Sequence, residues 1–142
     1  MVHLQLITLN GTKFDDDVYE VLLPTIDGRI GVLPGHMPLM SVASPGVISI
    51  RRQATDIDAA MEHFAVSGGV LEVVGDTLRV LVDEADHADQ INEDEARAAH
   101  ERALKLKAEA KDQVSLEHAQ TLVDRTAVRL HVAGLKRHRT NR

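Results

Sequence analysis

Phe64-Ala65-Val66-Ser67-Gly68-Gly69-Val70-Leu71-Glu72-Val73-Val74-Gly75-Asp76-Thr77-Leu78-Arg79-Val80-Leu81-Val82 is a run of β-formers broken at Gly68-Gly69 and again at Gly75-Asp76. Glycine reaches positive φ at no steric cost, so both breaks read as two-residue hairpin turns between short strands. Upstream the same texture continues. Leu4, Leu6 and Thr8 alternate with Gln5, Ile7 and Leu9. Val18–Leu23 is a short strand expected to end at Pro24. Ile30–Leu33 lies between Gly28 and Pro34, and in Val47–Ile50 the side chains of Val47 and Ser49 fall on one face, Ile48 and Ile50 on the other. Many short strands with frequent turns argue a sandwich or barrel. Asp15-Asp16-Asp17 reads as a turn.

Downstream the period changes. Asp83–Gln90 is acidic and has no β-branched residue, which predicts a solvated link between two units, 1–86 and 91–142. Beyond Ile91 there is no proline. Ala96, Ala99, Ala103, Leu106 and Ala110 step by three and four, and so do Leu116, Ala119, Val123, Thr126, Leu130 and Ala133. Two amphipathic helices follow, and the short connection Lys111–Ser115 makes them antiparallel. Ser115 is the expected cap of the second helix, with Glu117 in its first turn. Gly134 is its expected stop. The fold class is therefore α+β: an N-terminal antiparallel β-sandwich followed by a C-terminal antiparallel two-helix hairpin. The seam of the first helix is mostly alanine. A buried CH₂ contributes only about 0.8 kcal/mol, so the hairpin should open at modest cost, as a switch does.

Charge divides the chain in the same place. There are 5 basic and 14 acidic residues up to Gln90, but 11 basic and 8 acidic beyond it, giving a net −6. Lys136, Arg137, Arg139 and Arg142 have no acid among them, and such a tail is either solvated or docks on an acidic protein surface. The acidic whole argues against nucleic acid, and the few aromatics, Phe14, Tyr19 and Phe64, leave little for bases to stack on. Cysteine is absent, which removes disulfides, thiolate zinc and a cysteine nucleophile. Met1–Leu9 does not read as a signal peptide, and no stretch approaches the roughly 20 apolar residues of a membrane span.

Catalytic signatures are missing. No glycine loop leads to Lys-Ser or Lys-Thr, and Gly28, Gly31 and Gly35 are loop glycines that open no helix. Ser67 precedes two glycines instead of sitting in a nucleophile elbow. His100, His118, His131 and His138 lack metal-ligand spacing, and the acidic runs lack the glycine of a calcium loop. No metal site is expected.

The blocks Gly28-Arg29-Ile30-Gly31-Val32-Leu33-Pro34-Gly35-His36-Met37-Pro38-Leu39, Pro45-Gly46-Val47-Ile48, Phe64–Val73, Leu81-Val82-Asp83-Glu84-Ala85 and Arg129-Leu130-His131-Val132-Ala133 stand in the order found in the ATP synthase epsilon family. The chain resembles that family over nearly its whole length, in its bacterial type. The resemblance implies a non-catalytic central-stalk subunit that couples rotation to proton-driven ATP synthesis and restrains hydrolysis through its hairpin. The implied partners are the gamma subunit, the rotor c-ring and the catalytic alpha and beta subunits, with membrane contact only through that complex, on the cytoplasmic face. Gly31, Leu33, Pro34, Gly35, His36 and Pro38 are candidate partner contacts, and so are Lys136, Arg137 and Arg139 of the tail. In bacterial members the family also implies regulatory ATP, held by an aliphatic residue, Asp, two residues, Arg and Ala at the start of the first helix and by two arginines four apart in the second. Asp94, Arg97, Arg125 and Arg129 match parts of that pattern, with Glu93 where the aliphatic residue is expected. The rival readings are a small β-sandwich hydrolase using His36 and a free-standing ATP sensor.

Overall fold

The computed structural model describes the backbone of residues 1–140 and the side chains of residues 1–135. Ten strands come first: β1 (Val2–Thr8), β2 (Gly11–Val18), β3 (Glu20–Thr25), β4 (Gly28–Val32), β5 (Leu39–Ala43), β6 (Gly46–Arg51), β7 (Glu62–Val66), β8 (Gly69–Val74), β9 (Thr77–Val82) and β10 (Ala85–His87). Two helices follow, α1 (Glu93–Glu109) and α2 (Gln113–Thr140). The ladder runs β10-β7-β6-β3-β5-β8-β9-β1-β2, with β4 paired to β3. All pairs are antiparallel except β1 with β9. A clasp ties β2, at one end of the ladder, to β7, next to the other end. Arg52 stacks over the Phe14 ring at 5.0 Å and bonds Asp16 of β2 at 3.1 Å and Glu62 of β7 at 2.7 Å. Phe14 also meets Phe64 edge-on.

Alternation places the core. Val2, Leu4, Leu6 and Thr8 of β1 are buried, and the first three meet Leu23, Ile48, Ile50, Leu71, Val73, Leu78 and Val80 inside the sheet. This cluster draws only on residues between Val2 and Ala85. A second, smaller cluster joins the hairpin to the outer face of the sheet: Ala65, Ala88, Ile91, Ala96, Val132 and Ala133, flanked by Val47, Val128 and Leu130. The helices run antiparallel, as Ala96 meets Val132 and Ala133 while His100 Nδ1–H donates to Thr126 Oγ1 at 2.9 Å.

Several local expectations are corrected. Gly68-Gly69 is not a hairpin, because β7 pairs with β6 and β10, whereas β8 pairs with β5 and β9. The glycines carry the chain across the fold, where a Cβ on Gly69 would lie 2.0 Å from the Leu81 carbonyl oxygen. Gly75, at φ +58°, does turn β8 into β9. β3 runs through Pro24 to Thr25. Pairing with β6 ends at Leu22 and pairing with β5 begins at Thr25, so the missing N–H falls between partners. Asp15, Asp16 and Asp17 belong to strand β2, at the edge, where charge discourages further pairing. The acidic stretch Asp83–Gln90 contains β10 and a 3-10 turn with Ala85 and Ala88 buried. The cap of α2 is Asp112, whose carboxylate accepts from Ser115 N–H at 2.7 Å. Gly134 lies inside α2, which continues to Thr140.

Candidate functional site

Arg125 and Arg129 stand one turn apart on α2 and line a cleft of about 20 Å³ together with Ala65, Val66, Ser67, Glu84, Asp86 and Val128. The opposite wall is fixed by the sheet. Glu84 N–H donates to Ser67 Oγ at 2.8 Å and Ser67 N–H to Glu84 O at 3.0 Å. Ala85 and Asp86 then pair with Val66 and Ala65 in β7. Asp86 is thereby held on a strand facing α2, and its carboxylate is ion-paired with Arg129.

Arg97 does not line this cleft. It pairs along its own helix with Glu93 at 3.1 Å and Asp94 at 3.6 Å, and the Asp94 side chain is 95% exposed. The aliphatic residue buried before α1 is Ile91, and the residue capping the helix is Asn92, accepting from Glu95 N–H at 3.1 Å. Counted from that cap, the arginine position of the family pattern falls on Glu95. A cleft of about 20 Å³ has room for about one water molecule, which needs roughly 10–15 Å³ on the same measure, and none for a triphosphate. It is walled by two carboxylates, which repel phosphate. As arranged, these residues do not fit a bound nucleotide.

The candidate contact residues separate. Register aligns Thr25 with Ala43, Ala43 with Gly69 and Gly69 with Val82, and β1 runs parallel to β9. The turns Thr8–Gly11 and Thr25–Gly28 therefore share one end of the fold. In each, the threonine Oγ1 donates to the glycine carbonyl, at 3.0 and 2.5 Å, and the tips carry exposed Leu9 and Ile26. Gly31 lies within β4. Leu33, Pro34, Gly35, His36 and Pro38 lie at the opposite end, where Gly35 takes φ +82°. His36 donates from Nδ1 to the neighbouring Met37 carbonyl at 2.6 Å. Lys136, Arg137 and Arg139 lie outside the residues whose side chains are described.

A surface that sequence reasoning passed over crosses the outer face of β5, β8, β9 and β1. Register sets Val42 beside Val70, Val70 beside Leu81 and Leu81 beside Ile7. Val42, Val70 and Leu81 are 44–48% exposed and Met40 is 72% exposed. The hairpin packs instead against β6 and β7 and leaves this row uncovered. Its signal was in the sequence: in Val70–Val74 and Leu78–Val82 both alternating sets contain aliphatic residues.

A β-sandwich of this topology carrying an antiparallel two-helix hairpin defines the class of protein. The family described as "ATP synthase, Delta/Epsilon chain, beta-sandwich domain" matches residues 1–88. The ATP synthase epsilon chain of Herpetosiphon aurantiacus is 31% identical over 138 residues, 97% of this chain and 98% of that one. That of Gloeobacter violaceus is 36% identical over 94% of this chain and 97% of its own. The chain belongs to the ATP synthase epsilon chain family. Its fold is similar to a chain in the OSCP/F1/c-ring structure of the Euglena gracilis mitochondrial ATP synthase, with TM-score 0.78 at 19% identity, covering 93% of this chain and 80% of that chain. It is also similar to one in the central stalk/c-ring structure from Tetrahymena thermophila, with TM-score 0.62 at 17% identity, covering 94% and 96%. Among the described residues no helix is long and apolar enough to cross a membrane.

Proposed function

We propose that this chain is a non-catalytic central-stalk subunit of a rotary ATP synthase, docked on the gamma subunit through the row Ile7, Val42, Val70 and Leu81. The observation that carries the reading is that row. A contiguous apolar strip on rigid strands, left bare by the chain's own hairpin, is what a permanent protein partner covers. The neighbouring row sets Glu72 beside Arg79, with Gln5 accepting from Arg79 Nε at 3.4 Å, a polar rim for such an interface. In this reading the exposed turns at the two ends of the sandwich are the surfaces available to the c-ring and to other stalk elements, and membrane association at the cytoplasmic face runs through the complex. Coupling to proton-driven synthesis and restraint of hydrolysis by the hairpin belong to the same proposal.

Leu81→Glu and Val70→Glu place a charge in the strip without touching the core. Each should lower retention of the chain on a purified gamma-containing complex by about tenfold, as expected for a charge in a desolvated interface centre. The isolated variants should keep the wild-type unfolding temperature. Full retention of both would remove this face from the stalk interface and with it the support for the reading.

A further inference from the structure

We propose that the closed hairpin of this chain is latched by its own carboxylate, Asp86 on β10 against Arg129 on α2, so that closure responds to ionic strength and not to nucleotide. The inference stands on the isolated chain and holds whether or not the stalk reading does.

Three observations carry it. The apolar contact between hairpin and sheet is thin. Its buried centre is Ala65, Ala88, Ile91, Ala96, Val132 and Ala133, with Val47, Val128 and Leu130 only partly buried at its margin, and the four alanine methyls contribute little each. A single well-placed ion pair is therefore a large share of what distinguishes closed from open. Next, the carboxylate is pre-positioned. Asp86 pairs with Ala65 in the sheet, and the preceding residue but one, Glu84, is fastened through Ser67. The strand loses little freedom on meeting Arg129, and only the arginine must be ordered. Finally, the pair occupies the place where a phosphate would have to enter. Asp86 and Glu84 form the acidic wall facing Arg125 and Arg129, so a nucleotide would have to break the latch and then meet two like charges.

Both partners are about a third exposed. Their attraction is consequently screened by salt, with a Debye length near 3 Å at 1 M against 30 Å at 0.01 M. Opening releases α2 with Arg125 and Arg129 both free to meet an acidic partner. The same arginine then serves closure in one state and presentation in the other.

The test is amide exchange of α2 in the full-length isolated chain, with the β1 and β9 amides as the internal control for an intact sandwich. In wild-type protein, molar salt should lower α2 protection, and millimolar MgATP should leave it unchanged. Asp86→Asn should lower it about 1.5-fold to fivefold at low salt, the range of a part-exposed ion pair. Arg129→Gln should do the same from the helix side without altering β10, which guards against a strand defect in the first variant. Asp86→Arg combined with Arg129→Asp should recover protection that each single change loses. A rise in wild-type protection with MgATP would overturn the proposal, as would single variants that close as firmly as wild type at low salt.

Discussion

His3 is a histidine whose protonation the fold favours. Its ring donates to Asp17 at 2.7 Å and to Asp15 at 2.6 Å across the β1–β2 pair. The hydrogen bond to Asp17, then that to Asp15, raises it above its ordinary value of 6.5. Folding therefore favours the imidazolium. The stabilisation is fully present below 6.5 and is lost as pH rises through the raised folded value. Unfolding temperature should accordingly fall on passing from below 6.5 to well above it, and His3→Gln should flatten that part of the profile. A profile unchanged by the substitution would show that the pair of aspartates gives the histidine no net preference. Gly69 makes a steric prediction at the same scale. With an added Cβ 2.0 Å from the Leu81 carbonyl oxygen and 2.9 Å from the Val82 Cα, backbone must move. Gly69→Ala should cost on the order of 3 kcal/mol in denaturant unfolding, the upper range for overpacking. A loss under about 1 kcal/mol would mean the crossover is soft.

At the scale of elements, Gly134 separates two accounts of α2. A glycine ending a helix takes a left-handed conformation, and alanine there is strained. This glycine has no positive φ, lies inside Gln113–Thr140, and an added Cβ meets nothing within 4 Å. Gly134→Ala should thus stabilise the helix by about 0.5–1 kcal/mol, read as increased helicity and a higher unfolding temperature. Destabilisation would restore the glycine as a stop. The reason the sequence misled here also explains its other misses. Gly134, Ser115 and Gly68-Gly69 carry propensities that are real but local, and tertiary position decides whether they are used. Asp112 outcompetes Ser115 as the cap because Ser115 N–H, three residues on, bonds its carboxylate, a bond that also holds the Asp112 pKa below its ordinary value. Periodicity fared better. Alternation in β1 marked Leu4 and Leu6 as buried, and the three–four steps did the same for Ala96, Ala103, Ala119 and Ala133, whereas Leu106 and Leu116 on those same steps are exposed because they lie in the part of the hairpin near its turn that nothing covers. Asp86 was legible only as one acid among several, because its role depends on β10 pairing with β7, a contact over many residues that no local pattern encodes.

Across the whole molecule, the main core and the candidate docking row draw on residues no later than Ala85, while the basic excess lies beyond Gln90. Anchor and effector can then be separated by one cut. A chain ending at Gln90 keeps β10 and the 3-10 turn, loses the small alanine-valine cluster under the hairpin, and should still unfold in one cooperative β-type transition. It should also keep its retention on the gamma-containing complex, since none of Ile7, Val42, Val70 and Leu81 is removed. What it loses is the element able to swing away. In the role proposed for the full chain, opening would free Arg125 and Arg129 and carry the rest of α2 with them toward an acidic catalytic surface. Blocking rotation there would restrain hydrolysis. The assembled enzyme carrying the shortened chain should therefore hydrolyse ATP faster than one carrying the full chain at equal occupancy. Asp86→Asn should move the rate the other way, because an unlatched hairpin spends more time open. That opposite sign is what a passive role for the helices would not produce. The measurement is steady-state hydrolysis of the reconstituted complex with subunit content verified for each form. Equal rates for full and shortened chains would leave the hairpin without an inhibitory role, and a faster rate with Asp86→Asn would mean that the closed form, not the open one, is the restraining state.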